Sequence, residues 1–194
     1  MLRRWIAAVL LSALSTLPGA TCAPEPSDDL WYLPTTEGSQ WVYQLSDIED
    51  ALLTLTLTSV ETHKDRVIVE IGTELLGRIR TIKTMAVFPG ALLEISPGSA
   101  PPAWELREGG KKGTKWESTE RHFRSDVTVV YSAEGAETIE VPAGRFRAVR
   151  IDAVYEYRGV RIRRSRWYAP GIGLVKETGA GLELQLKSFT RGKQ

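Results

Sequence analysis

The sequence predicts an all-β or mostly β fold built from antiparallel hairpins, with few short helices. Three observations predict it. Apolar residues recur at every second position through most of the chain, and short turns rich in Gly and Pro separate the alternating runs. No stretch beyond residue 30 keeps a helical period for three turns. Alternation places one side of each strand in a core and the other in water, which antiparallel sheets permit.

The 194 residues are 42% apolar and 25% charged, which is the balance of a soluble globular chain and room for one domain of ordinary size. The first 21 residues read as a separate unit. Met1-Leu2-Arg3-Arg4 is a basic head, and Trp5 to Leu17 is an apolar run broken only by Ser12, Ser15 and Thr16. Pro18 to Thr21 then ends it among small residues. These are the three parts of a secretory signal, and the apolar part is too short to span a bilayer comfortably. Without residues 1–21 the chain holds 23 bases and 24 acids. A near-neutral mature chain has no overall field to steer it to nucleic acid. The expected location is the periplasm or outer envelope.

Cys22 is the only cysteine, so no intramolecular disulfide forms. It stands where a lipoprotein carries its lipid. Gly19-Ala20-Thr21-Cys22 resembles a lipobox but departs from it at Gly19 and Thr21. Two readings stay open: an acylated anchor, which a lone exported thiol favours, or a free or removed cysteine. Ala23-Pro24-Glu25-Pro26-Ser27-Asp28-Asp29 reads as an extended polar tether over 22–29. Membrane contact is then expected only through the N-terminal lipid.

A single β-rich domain is expected over 30–190. Leu53, Leu55 and Leu57 alternate with threonines, Val67, Val69 and Ile71 follow, and Leu182, Leu184 and Leu186 alternate with polar residues near the end. Pro89-Gly90 suits the centre of a type II turn. Arg158-Gly159 separates two alternating runs, Val149 to Tyr157 and Val160 onward, in a short hairpin. Continuous pairing there would turn Arg164 and Arg166 inward, an expensive burial, so a β-bulge is expected near Arg163-Arg164, with Trp167 inside. Residues 96–124, with their Pro and Gly pairs, read as long loops. Gly113-Thr114-Lys115-Trp116 echoes Gly38-Ser39-Gln40-Trp41, and each phrase suits a strand entry where an indole caps the core.

Three phrases occur in order: Gly38 to Tyr43, Val141-Pro142-Ala143-Gly144-Arg145-Phe146, and Trp167-Tyr168-Ala169-Pro170-Gly171-Ile172-Gly173-Leu174-Val175-Lys176. Together they resemble exported bacterial proteins, often lipoproteins, that carry a TapB-like domain of unknown function. The resemblance covers most of residues 30 to 189. It implies a single, strongly curved antiparallel sheet or open barrel, distantly similar to LolA-type lipoprotein carriers, and it brings no catalytic residues. Read from the residues alone, Pro142 and Gly144 make a tight turn that delivers Phe146 into a strand. Pro170, Gly171 and Gly173 force a bend after Trp167-Tyr168.

The chain offers little chemistry. His63 reads as an exposed turn residue and His122 lacks a spaced partner, so no metal site and no cofactor are expected. No nucleophile elbow occurs, and Glu94, Glu105, Glu117 and Glu120 read as solvated loop acids, so no catalytic residue is expected. Residues 145 to 166 carry eight arginines against Asp152 and Glu156. Arg161, Arg163, Arg164 and Arg166 are the candidate contacts for an anionic group, unless they only decorate the solvent side of an edge hairpin. The leading expectation is a non-enzymatic envelope protein whose curved sheet holds a lipid or apolar small molecule against Trp and Tyr side chains. The alternative is an assembly or scaffold protein that binds another envelope protein through its surface.

Overall fold

A computed structural model describes residues 30–193 apart from 47, 49–50, 96–101, 123–124 and 158. The expected signal segment, the tether with Cys22, and Arg158 lie outside the described residues. The rest forms twelve antiparallel strands: β1 Gln40–Leu45, β2 Leu52–Thr62, β3 Val67–Leu75, β4 Arg78–Phe88, β5 Ala91–Glu94, β6 Ala103–Leu106, β7 Lys115–His122, β8 Ser125–Val141, β9 Gly144–Tyr157, β10 Val160–Ala169, β11 Gly173–Gly179 and β12 Leu182–Thr190. Among the described residues a 3-10 turn at Glu108–Gly110 is the sole helical element.

All twelve strands belong to one sheet in the order β6-β5-β4-β3-β2-β1-β12-β11-β10-β9-β8-β7. The sheet curls into a nearly closed barrel. Its two edges meet where the Trp116 indole N–H on β7 donates to the carbonyl of Trp104 on β6, at 2.8 Å. Residues 96–124 are thus not simply loops. They hold the whole of β6 and β7, whose four- and eight-residue lengths are short enough to be hidden by the surrounding Gly and Pro.

The period-two rhythm is realised as an inner and an outer face. Val67, Val69 and Ile71 on β3 face inward with Met85 and Val87 on β4, and Val129, Tyr131, Ile151 and Leu186 meet them from the far wall. Each such side chain contributes about 1.5–3 kcal/mol by leaving water.

Because the strands run up and down, their turns alternate between two ends. At one end, the base, lie the turns between β2 and β3, β4 and β5, β8 and β9, and β10 and β11, together with residues 30–39. At the other, the mouth, lie the turns β1–β2, β3–β4, β9–β10 and β11–β12.

The base is closed by the chain's first described residues. Gly90 N–H donates to Leu30 O at 2.9 Å, Gly171 N–H to Trp31 O at 2.7 Å, and Tyr32 OH to Gly109 O at 2.8 Å. Tyr32 and Leu33 are thereby buried beneath the barrel. Gly173, at φ 98°, is required here: a Cβ on it would lie 2.6 Å from Leu33 Cδ2.

One expectation is overturned. No bulge interrupts the β9–β10 hairpin, which pairs continuously from Tyr157–Val160 to Val149–Tyr168. The irregularity falls between β10 and β11, at Trp167/Tyr168. Arg166 therefore stands opposite Ile151 and Arg164 opposite Ala153, on the inner face. Trp167 turns outward, where Arg150 and Lys176 lie over its ring at 5.5 and 5.7 Å. The cost that argued for a bulge is met by partners from other strands.

Candidate functional site

The inward arginines belong to a chain of alternating charges across the barrel interior. Glu94 on β5 pairs with Lys83 on β4 at 3.2 Å, and Lys83 pairs in turn with Glu105 on β6 at 2.5 Å. Arg166 reaches Glu105 at 3.4 Å and Glu177 on β11 at 3.2 Å, and Arg164 closes the series on Glu177 at 3.4 Å. Tyr168 OH donates to the second oxygen of Glu105 at 3.2 Å. Three acids face three bases, so the network is neutral. It joins β4–β6 near one sheet edge to β10–β11 on the opposite wall.

The electrostatics follow from that geometry. Burial works to raise the Glu105 carboxyl, but the charges of Lys83 and Arg166 and the hydrogen bonds from Lys83 and Tyr168 bring it down to about 2. Burial works to lower Lys83, and Glu105 and Glu94 outweigh it, so the ammonium is held above its ordinary value. Arg166 is likewise raised: burial opposes its charge, while the acidic Tyr168, Glu105 and Glu177 favour it. Tyr168 is pushed up chiefly by burial and then by Glu105. Glu105, Lys83 and Arg166 therefore stay ionised at neutral pH.

Below and beside the network lies a cavity of about 110 Å³. Leu33, Trp41, Met85 and Leu92 line its apolar side, and Lys83, Glu105, Arg166 and Glu177 its charged side. Ile82, half-exposed, marks where the cavity meets solvent. Toward the mouth the inner face becomes accessible, with Leu75 54%, Ile162 36% and Leu182 39% exposed and Arg78 standing opposite Leu75.

The phrases singled out in the sequence converge on the base. The Trp41 indole N–H donates to Ile172 O at 2.6 Å and Tyr43 OH to Leu174 O at 2.8 Å, which ties the first phrase to the third. Pro170 and Gly171 shape the turn that accepts the N-terminal segment. The Pro142-Ala143 turn sends the Ala143 N–H to Leu186 O at 2.9 Å, with Gly144 following it and Phe146 packed partly buried against the core. Trp116 stacks on Tyr131 at 5.2 Å beside the barrel seam. Both Gly-x-x-Trp phrases enter their strands through a positive-φ glycine, Gly38 at 79° and Gly113 at 92°.

The four candidate arginines are divided. Arg164 and Arg166 are committed to Glu177 and Glu105 inside, whereas Arg161 and Arg163 are exposed on the outer face near the mouth. Glu105 is not a solvated loop acid but a buried strand residue at 6% exposure. Lys83, Glu105 and Glu177 had gone unnoticed as a group. The available signal was the same alternation: Lys83 keeps step with Met85 and Val87, and Glu177 with Val175. His63 sits exposed in the β2–β3 turn, 3.1 Å from Glu61. Among the described residues no group of three His, Cys, Asp or Glu is placed to hold a metal ion.

No protein-family model matches the chain, and no curated protein sequence matches it significantly. Solved structures do. A lipoprotein candidate from Parabacteroides distasonis superimposes with a TM-score of 0.56 at 13% identity, over 84% of this chain and 100% of that one. An exported-protein candidate with a YmcC-like fold from Bacteroides fragilis gives 0.52 at 12% identity, again over 84% and 100%. At these identities the likeness is one of fold.

Proposed function

We propose that this chain is an exported envelope protein that binds an apolar or lipid-like ligand, without catalysis, through the mouth of its barrel. The observation that carries the reading is the accessible inner face at the mouth, where Leu75, Ile162 and Leu182 stand exposed above a cavity with an apolar floor. Apolar walls with a few fixed polar groups are the usual make-up of a small-molecule site. The cavity of about 110 Å³ sets the scale. Dry cavities of about 150 Å³ take up one benzene. The cavity therefore admits the end of a chain, and the rest of the ligand lies in the mouth.

The signal-like segment 1–21 and Cys22 support export and lipid anchoring. Two structural neighbours described as lipoprotein or exported-protein candidates share the fold, and the resemblance to TapB-like and LolA-type proteins points the same way. Metabolic labelling with a palmitate analogue tests the anchor: label on the parent and none on Cys22→Ser is expected, and equal labelling refutes it.

Native mass spectrometry after gentle purification tests the ligand. An added mass on the parent that disappears in Leu55→Trp, whose indole fills the cavity from β2, is the expected result. A clean parent mass overturns the reading. The scaffold alternative rests on a different observation, the outward-facing Ile48, Leu52 and Ile79 around the same rim, all at least half-exposed. It predicts a clean mass together with a crosslinked protein partner.

A further inference from the structure

The tip of the β3–β4 hairpin combines two features that stability alone would remove. Leu76 and Gly77 form a two-residue turn with φ of 53° and 71°, so both central residues are left-handed. That turn normally takes Asn, Asp or Gly in its first place, because a leucine Cβ clashes with the following carbonyl. Leu76 is also 94% exposed, with Leu75 and Ile79 near it at 54 and 60%. A strained backbone that holds a large apolar side chain in water is the kind of local cost retained at functional sites.

The chemistry around the tip identifies what it meets. Arg78 and Arg80 flank the leucines, both exposed, and no acid among the described residues lies within ion-pair distance of either. Six places round the sheet order, on the opposite side of the mouth, the β9–β10 hairpin also sets an exposed aliphatic residue beside exposed arginines. There Val160 is 58% exposed, next to the exposed Arg161 and Arg163. Leucines at a convex tip with arginines one step behind match the layering of a phospholipid surface, acyl chains inside and phosphates outside. A folded partner would need a pocket shaped for each tip, whereas a bilayer conforms to both. The chain beyond residue 21 is near neutral, with 23 bases and 24 acids, so no strong net field is available. Insertion of the leucines, with arginines on headgroup phosphates, drives the contact.

We propose that the mouth docks on a phospholipid bilayer, with Leu75 and Leu76 entering the acyl boundary and Arg78 and Arg80 holding phosphates. This goes beyond the ligand-binding reading and does not depend on it, since these tips act whether or not the cavity is filled.

The test uses the full-length exported protein with Cys22→Ser, so that an introduced cysteine is the sole thiol. A polarity-sensitive fluorophore is placed at Glu74→Cys beside the tip, and in a second protein at Lys64→Cys in the base. Vesicles of mixed phosphatidylethanolamine and phosphatidylglycerol are then added. The proposal expects a blue shift at position 74, quenched by a lipid-phase quencher, and none at position 64. Silence at 74, or equal shifts at both positions, overturns it. Leu76→Asp combined with Arg78→Ser and Arg80→Ser should lower vesicle partitioning by at least about tenfold, with the far-ultraviolet spectrum and melting profile retained. Unchanged partitioning in that variant overturns the proposal. So does a crosslink from position 74 to one envelope protein in the absence of vesicle binding.

Discussion

The two ends of the barrel are built on opposite principles. At the base, the polar handles of three buried aromatic residues find backbone carbonyls: Tyr32 on Gly109, Trp41 on Ile172, Tyr43 on Leu174. Trp41 is 2% exposed and Tyr32 fully buried. At the mouth, leucine, isoleucine and valine side chains stand in water beside arginines, and Leu76 holds a backbone conformation it disfavours. The difference teaches where to look for function. Residues whose environment satisfies them maintain the fold, and residues left unsatisfied at a surface await something else. The buried charge network lies between the two regimes, fully paired yet polar.

If the base maintains the fold, breaking it should cost most. Trp41→Ala removes a buried indole and strands the Ile172 carbonyl, and a loss of about 3–5 kcal/mol is expected in urea unfolding followed by circular dichroism. A loss below about 1 kcal/mol would mean the base is not the stable end. Removing one member of the network comes next. Arg166→Met leaves Glu105 and Glu177 short of their shared partner, and breaking a buried pair in this way costs about 3 kcal/mol. The same urea titration should show no change in ellipticity before unfolding.

Acid should reach the network before it reaches the base. The Glu105 carboxyl is held at about 2 in the folded chain, against an ordinary 4.5. A depressed carboxyl contributes stability that is complete above the unfolded value and is lost as pH falls through the folded one. Unfolding free energy should therefore decline from about pH 4.5 towards about 2, and Glu105→Gln should flatten that limb. Lys83 acts at the alkaline end: its raised value keeps its contribution intact up to its ordinary 10.5 and loses it only above.

Much of the fold was legible because alternation is local. Leu53 to Leu57, Val67 to Ile71 and Leu182 to Leu186 each announce their own strand, and the glycine-bearing turns announce the hairpins. The interior chemistry was not legible, because its logic is non-local. Arg166 looks too costly to bury until Glu105, 61 residues away, is seen to fold against it. The same blind spot made a bulge appear necessary at Arg163-Arg164 and made Glu105 read as a loop acid. The three recognisable phrases were visible as turns and aromatics, but only the folded chain shows that they converge on one end. The tip of β3–β4 did leave a trace: Leu-Gly stands where a tight hairpin normally has Asn-Gly or Asp-Gly.

That trace supports the smallest and most discriminating prediction, because its sign is reversed. Leu76→Asn replaces a residue that resists the left-handed region with one that tolerates it, and it removes an apolar side chain that is 94% exposed. No buried contact is lost, so the folded chain should gain about 1 kcal/mol, read as a higher midpoint in the same urea titration. A substitution that raises stability while weakening the mouth's interactions is the signature of a residue retained at the expense of the fold. If Leu76→Asn instead destabilises the chain, the leucine is packed in solution against something the fold itself supplies. The contrast between a satisfied base and an unsatisfied mouth would then fail at its sharpest point.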